Sequence, residues 1–474
     1  MKLKIYNTMS RQKEEFVPLM EDPNYNWPKK DFVWMYSCWP TVYRDPSIWN
    51  YRATFTADLI RNTLKLFWYK VISVMNITDV GHLTSDADDG EDKLEKWAKR
   101  EWISVWEVAK KYENIFMKGM KSLNIDTFDV MPRATDHIAE QISLIQKLEE
   151  KAYTYEVPGD WIYMDTSKVE NYWELMWPNY KKRLEDLNAW IRVDMWGKKN
   201  PTDFALWKFS PQNEKRQMEW DSPRWIWFPG WHIECSAMSS KYLGEQFDIH
   251  HWWADHITIH HPNEIAQSEC GFGVHPWVKY WVHNEFLQVD WGKMSKSLWN
   301  VYTLEDVQKR WYSPLDLKYF YFMAQYSNFQ NFTWEQLDVA KNTRQALIKK
   351  LQWKEELKDR KEFENDPFFK EAMEAISDNI NTPKLLAIIQ SSLNNVNENT
   401  YAIITFFENN FLKLWLFEEQ EKVEIPSEIQ ELAQKRREAK KNKDWGTADS
   451  LRDQLTSLWW KILDRPDGFE VEKI

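Results

Sequence analysis

Glycine is scarce in this chain of 474 residues: it occurs 12 times, where ordinary composition would supply about 33. Cysteine is scarcer still. Cys38, Cys235 and Cys270 are too few and too scattered for a disulfide framework, which points to a reducing cytoplasm and leaves metal binding or catalysis as their special uses. No apolar run approaches the roughly 20 residues that a membrane span needs. The start, "MKLKIYNTMSRQ", has no apolar core or cleavage site of a secretory signal. Positive charge is also in deficit. A net charge of −11 excludes blanket coating of nucleic acid, while a local basic strip stays possible. With 43% hydrophobic and 28% charged residues, the chain reads as soluble and globular, long enough for two to four domains around at least one large core.

Against these deficits stands one excess, tryptophan, present 31 times. Many of these residues sit where turns want glycine: Trp39 in "SCWPT", Trp68 in "LFWYK", Trp225 and Trp227 in "SPRWIWFPG", Trp252 and Trp253 in "HHWWAD", and Trp291 and Trp299 in "VDWGKMSKSLWN". Roughly 21 tryptophans occupy such settings, and reading them as glycine restores about the usual 7%. The simplest explanation is a source that decodes UGA as glycine, with the gene translated on paper as though UGA meant tryptophan.

Two apolar, β-branched runs, "VWMYSCWPTVY" and "LFWYKVISVMNITDV", flank "NYRATFTADLIRNTLKLF", whose apolar residues fall at helical spacing. That pattern is a β-α-β unit, and ligands of such parallel sheets bind at the carboxyl ends of the strands. The expected architecture is α/β: a Rossmann-type parallel sheet catalytic domain over 1–265 with an insertion at about 92–199, and a linking region over 266–313. A helical bundle over 314–425 and a small basic α/β module over 426–474 would follow. The second half of the sheet is expected to resume near "PTDFALWKF", with "FDIHH" and "HITIHH" as strands ending in histidines. "DNINTPKLLAIIQSSLNNV" is one clear amphipathic helix of the bundle.

Several constellations could carry chemistry. "HHPNE" puts His260 and Glu264 four apart at a helix start, so both side chains can face one point. With Cys38 and Cys235 they would make a sulfur, nitrogen and oxygen set suited to zinc, although two buried thiols and an ordinary helix face explain the same letters. "KMSKS", Lys293 to Ser297, offers two ammonium groups and two hydroxyls that could stabilise charge on a triphosphate, or form a solvated loop. "DPSIWN", Asp45 to Asn50, stands at the first strand-to-helix turn, where helix amides attract anions or Ser47 simply caps the helix. "AQKRREAKKNKDWGTADSLRDQL" carries Arg436, Arg437, Lys440, Lys441 and Lys443 on a helix, a phosphate-binding strip or a solvated face.

Jointly these pieces are more specific. Over nearly its whole length the chain resembles the cysteinyl-tRNA synthetases, a class I aminoacyl-tRNA synthetase family, through "SCWPTVYRDPSIWNYR", "VMNITDVGHLTSDADDGEDK", "GWHIECSAMSSKYLG", "HHWWADHITIHHPNEIAQSE", "YWVHNEFLQVDWGKMSKSLWN" and "KDWGTADSLRDQL". With the suspect tryptophans read as glycine, "SCGPTVY", "HHGGADH" and "KMSKSLGN" fit that family's pattern directly.

The resemblance implies ATP-dependent activation of L-cysteine and its transfer to tRNA(Cys), in the cytoplasm and with no membrane partner. It implies one zinc per chain on Cys38, Cys235, His260 and Glu264, joined by the substrate thiolate. Thr41, Trp231, His232, His250 and His261 would bind the amino acid, with His283 in the same histidine cluster. ATP, with Mg2+, would lie on Ser47, Ile48, Trp49, Asn50, Asp255 and Lys296. The catalytic group would comprise Ser47, Asn50, Lys293 and Lys296, and Arg436, Arg437, Lys440 and Lys441 would meet tRNA. One departure stands out: Ser47 occupies the place of the histidine that usually opens the family's HIGH-type signature. A neutral hydroxyl binds phosphate less strongly than an imidazolium, so either activation is weakened or a neighbour such as Arg52 compensates. Literal tryptophan at Trp49, Trp252 and Trp253 would crowd the floor where the nucleotide approaches backbone. Two other readings of the same fold are a ligase that passes cysteine to an amino-sugar and a silent tRNA-binding paralogue.

Overall fold

The runs rich in valine, isoleucine and aromatics pair into a parallel sheet because their side chains can be buried on both faces. In the computed structural model, which describes residues 1–25, 31–39, 41–81, 92–158, 161–176, 197–209, 217–221, 226–290, 292–293, 300–352, 354–417, 426–458, 460–465 and 468–473, the chain opens with a hairpin of β1 (Lys4–Asn7) and β2 (Gln12–Glu15). Next comes the expected crossover unit: β3 (Val33–Ser37), α1 (Ile48–Leu66) and β4 (Val71–Met75). Strands β3 and β4 pair in parallel, Val33 opposite Val71 and Ser37 opposite Met75.

Helix α1 is buried on nearly every side, polar residues included. Its charges are therefore matched internally: Arg61 pairs with Asp58 at 2.5 Å and donates to the carbonyls of Thr127 at 2.7 Å and Asp126 at 3.0 Å.

Helices α2 (Lys93–Glu101), α3 (Val105–Ser122) and α4 (Ile138–Glu150) follow. A five-stranded antiparallel sheet comes next, built from β5 (Thr154–Glu156), β6 (Trp161–Met164), β7 (Phe204–Phe209), β8 (Trp220–Asp221) and β9 (Ile226–Pro229) in the order β5-β6-β7-β9-β8. This corrects one expectation: "PTDFALWKF" yields a strand of the inserted sheet, since Phe204–Phe209 pairs antiparallel with β6 and β9. The parallel sheet resumes only after α5 (Trp231–Leu243), with β10 (Phe247–Trp253), α6 (His260–Phe272) and β11 (Val278–Asn284). Its strand order is β11-β10-β3-β4, and β10 lies parallel to β3 with His251 opposite Ser37. One apolar core, including Leu144, Leu148, Ile162, Leu206, Trp207 and Ile233, joins α4 and the inserted sheet to α5.

"HITIHH" is not a strand. After Trp253 the chain makes a short 3-10 turn over Ala254–Thr258 and then enters α6 at His260, because Pro262 in the first helical turn favours a helix start over a ladder.

Beyond β12 (Leu287–Val289) and β13 (Gly292–Lys293) come α7 (Leu304–Lys309), α8 (Pro314–Phe322) and β14 (Gln330–Phe332), then α9 (Trp334–Leu351), α10 (Arg360–Phe363), α11 (Pro367–Ser377), α12 (Thr382–Ser392) and α13 (Thr400–Phe407). The expected bundle thus contains one strand, β14, which pairs in parallel with β12. Ser313, Asp366 and Asn381 cap α8, α11 and α12, each with proline in the first turn.

The chain divides into two compact units, one of Met1–Gln308 and Tyr312–Leu416, the other of Lys309–Trp311 and Phe417–Ile474. The second contains α14 (Ser427–Lys441), α15 (Trp445–Ser457) and an antiparallel hairpin of β15 (Trp460–Arg465) and β16 (Gly468–Lys473). Ile429, Leu432, Ala433, Leu455, Trp460 and Ile462 form its core.

Candidate active site

Parallel strands align their carboxyl ends along one edge, and here that edge collects the chemistry. Cys38 directly follows β3, Cys235 lies one turn into α5, and His260 and Glu264 share a face of α6. Cys38 Sγ and Cys235 Sγ stand 3.8 Å apart, and His260 Nε2 is 3.4 Å from Glu264 Oε1. All four donor atoms lie within 4.8 Å of one another, and all four residues are buried.

These separations fit a metal. A tetrahedral zinc site with Zn–S bonds of about 2.3 Å and Zn–N or Zn–O bonds of about 2.0–2.1 Å has edges of roughly 3.8 Å and 3.3–3.4 Å. The charge balance points the same way. Burial and the adjacent Cys235 push the Cys38 thiol well up, whereas burial of Glu264 is outweighed by His260 and His250, which hold it at about 2. The carboxylate is balanced by the imidazole of His260, pushed up to about 10 against its burial by Glu264, and a divalent cation would take the place of the protons on His260 and the two thiols.

The histidines expected beside this set converge on it. His232 Nδ1 and His260 Nδ1 share a 2.9 Å hydrogen bond, leaving His260 Nε2 turned toward Glu264. His250 Nε2 lies 3.1 Å from Glu264 Oε2. His261 Nε2 is 3.9 Å from Cys38 Sγ, and its Nδ1 meets His283 Nε2 at 2.7 Å. Two residues not singled out from sequence complete the group. Thr8 bonds His283 Nδ1 at 2.8 Å, and His256 packs edge-on against Trp231 at 5.5 Å between centroids. His256 could have been found, because it stands among the histidines of "HHWWADHITIHH"; Thr8, in the turn of the first hairpin, carries no local signal.

Trp231 stacks on His260, centroids 4.5 Å apart at 26°. Its position depends on Gly230, where a Cβ would lie 2.2 Å from the Ala205 carbonyl oxygen, so only glycine lets α5 begin this close to β7. Thr41, half-buried, lies in the loop after Cys38, its carbonyl accepting from Tyr43 N at 3.1 Å.

Ser47 is the N-cap of α1 and is buried; its backbone N–H and its Oγ both donate to Asn50 Oδ1 at 2.9 Å. The turn is also pinned from outside, with Ile48 N donating to Tyr302 O at 2.9 Å and Tyr321 Oη to Ile48 O at 2.6 Å. Trp49 packs against Trp253, centroids 4.8 Å apart, at the end of β10, and Asp255 follows in the adjoining 3-10 turn. Arg52, the neighbour expected to compensate for Ser47, is engaged elsewhere. Its guanidinium is buried and donates to the carbonyls of Glu285 and Asn328. Lys293 ends β13, while its side chain and Lys296 lie outside the described residues.

In the second unit, Arg436 does not join the expected basic strip. It falls on the packed face of α14 with Ile429, Leu432, Ala433 and Ala439, whereas Arg437 and Lys440 are half-buried and Lys441 is exposed. Among the described residues no helix is long and apolar enough to cross a membrane.

Residues 26–342 match the family model of the tRNA synthetases class I (C) catalytic domain. Among curated proteins, Cysteine–tRNA ligase 1 of Burkholderia lata is 40% identical, the match covering 99% of this chain and 96% of that protein. Cysteine–tRNA ligase of Treponema denticola is 38% identical, with 97% of each covered. Among solved structures, Mycobacterium tuberculosis methionyl-tRNA synthetase in complex with methionyl-adenylate shares the fold at a TM-score of 0.52 and 12% identity, over 81% of this chain and 89% of that one.

Proposed function

The chain belongs to the cysteine–tRNA ligase family of class I synthetases, and from that premise we propose how its residues activate cysteine with ATP and load it onto tRNA(Cys). The observation that carries the reading is the convergence of Cys38, Cys235, His260 and Glu264, drawn from three separate elements, at the carboxyl edge of the parallel sheet.

Those four side chains would hold zinc. A zinc ion there would supply a soft Lewis acid that favours a thiolate over a hydroxyl, which would separate cysteine from serine without an editing step. His232 fixes the ring of His260, and His250 and His261 flank Glu264. Trp231 closes over the amino acid, and Thr41 binds it.

ATP, accompanied by Mg2+, lies along the same edge, with the Ser47–Asn50 turn under the adenine and phosphates and Asp255 at the ribose. The carboxylate oxygen of cysteine attacks the α-phosphorus and pyrophosphate leaves. The terminal adenosine hydroxyl of the tRNA then takes the cysteinyl group and AMP leaves. No covalent bond to the protein is required: the residues position the reactants, and Lys293 and Lys296 stabilise the charge that develops on the phosphates. Arg437, Lys440 and Lys441 meet the tRNA backbone. That none of Cys38, Cys235 and Cys270 is joined in a disulfide suits a reducing cytoplasm.

Cysteine-dependent exchange of labelled pyrophosphate into ATP by the form with glycine at the suspect tryptophan positions, followed by charging of tRNA(Cys), tests this. Exchange with cysteine but not serine is expected, together with charging. Exchange without charging would point to a small amino acceptor, and no exchange to a silent paralogue.

A further inference from the structure

Twelve described residues other than glycine have positive φ, and four of them are tryptophan: Trp68 (69°), Trp102 (59°), Trp311 (65°) and Trp415 (56°). Tryptophan makes up 31 of 474 residues, so it is about five times over-represented in a region that bulky side chains avoid. It even outnumbers asparagine and aspartate there, represented by Asn124, Asp290 and Asn379.

Three of the four stand at one kind of place. Helix α1 ends in a Schellman motif, with Tyr69 N bonded to Leu64 O and Trp68 N to Lys65 O, both at 3.0 Å. The same six-to-one bond closes α2 beyond Trp102, from Ile103 N to Ala98 O at 3.2 Å, and α7 beyond Trp311, from Tyr312 N to Val307 O at 3.3 Å. The left-handed residue of this motif is the position at which glycine is most enriched. The indoles gain little in return. Trp68 is 76% exposed and Trp102 93%, and the Arg360 guanidinium over the Trp68 ring, 4.6 Å from its centroid, is a surface contact.

A second, independent pair lies at the sheet edge, Trp253 buried and Trp49 half-buried. The indoles of Trp49 and Trp253 pack on each other, Phe286 lies 6.1 Å from Trp49, and neither indole N–H has a hydrogen-bond partner. Buried indoles normally find one. These two rings meet between the N-terminus of α1 and the end of β10, the place where a doubly wound sheet receives its ligand.

We infer that the polypeptide the cell makes carries glycine at positions 49, 68, 102, 253, 311 and 415, and that the crevice between α1 and β10 admits a nucleotide only in that form. The second half rests on the function proposed above; the first does not.

Peptide mass spectrometry of the protein from its native source reads the first half directly. Glycine masses at these six positions are expected, and intact tryptophan at 68, 102 and 311 would overturn the inference. Two recombinant sets separate the consequences. Trp68→Gly, Trp102→Gly, Trp311→Gly and Trp415→Gly together should raise Tm, because strain is relieved where little packing is lost; a lower Tm would contradict the strain argument. Trp49→Gly with Trp253→Gly should bind ATP, by equilibrium dialysis, at least tenfold more tightly than the chain as written. Equal binding by both forms would overturn the crevice assignment. If native glycine were found and neither form bound ATP, the residue assignment would stand and the nucleotide site would fall.

Discussion

His232 and His260 meet through their Nδ1 atoms, 2.9 Å apart, although 28 residues of chain separate them. The bond fixes which nitrogen of His260 is turned inward, because an imidazole engaged at Nδ1 presents Nε2, and here that atom faces Glu264.

It follows that His232→Ala should weaken zinc binding about 10–100-fold with little change in fold. Competition against a chromophoric chelator would measure this. Unchanged affinity would reduce His232 to a packing residue.

How much of this site could be read from the letters depends on distance along the chain. His260 and Glu264 are four apart on a helix, a relationship that spacing alone reveals. Cys38 and Cys235 are separated by 197 residues, and no spacing rule links them; only the fold brings β3 and α5 to one edge. Phe204–Phe209 shows a different limit, because an apolar strand reads alike whether its neighbours run parallel or antiparallel. Arg436 was legible in principle. It lies seven, four and three residues beyond Ile429, Leu432 and Ala433, which marks it as part of the packed stripe of α14.

That stripe separates two basic residues five apart. Lys441→Ala should weaken tRNA binding modestly and lower the dependence of log K on log salt by about one. Arg436→Ala, which removes a buried side chain, should instead destabilise the second unit. Filter binding across a salt series, beside thermal melts of both variants, distinguishes them; a salt slope that changes for Arg436→Ala and not for Lys441→Ala would reverse the assignment.

Lys318 gives a pH signature that involves none of the site residues. It is buried, its ammonium donates to the carbonyls of Asn124 at 2.8 Å and Lys413 at 3.3 Å, and burial lowers its pKa from 10.5 to about 8. Between these values the unfolded chain holds a proton that the folded chain has lost, so stability rises with pH. The cost of the buried charge is fully present below pH 8 and relieved by about pH 10.5, a difference of roughly 3 kcal/mol. Denaturant titrations across this range should show that rise in the parent chain and lose it in Lys318→Met. Parallel pH curves for the two would refute it.

The central claim is that four converging side chains hold a zinc ion which recognises sulfur. X-ray absorption at the zinc edge tests it most directly. The expected shell is two sulfurs at about 2.3 Å and two nitrogen or oxygen atoms at about 2.0–2.1 Å, becoming three sulfurs when L-cysteine is added and staying at two with L-serine. A metal shell without sulfur, or one that cysteine leaves unchanged, would contradict the account.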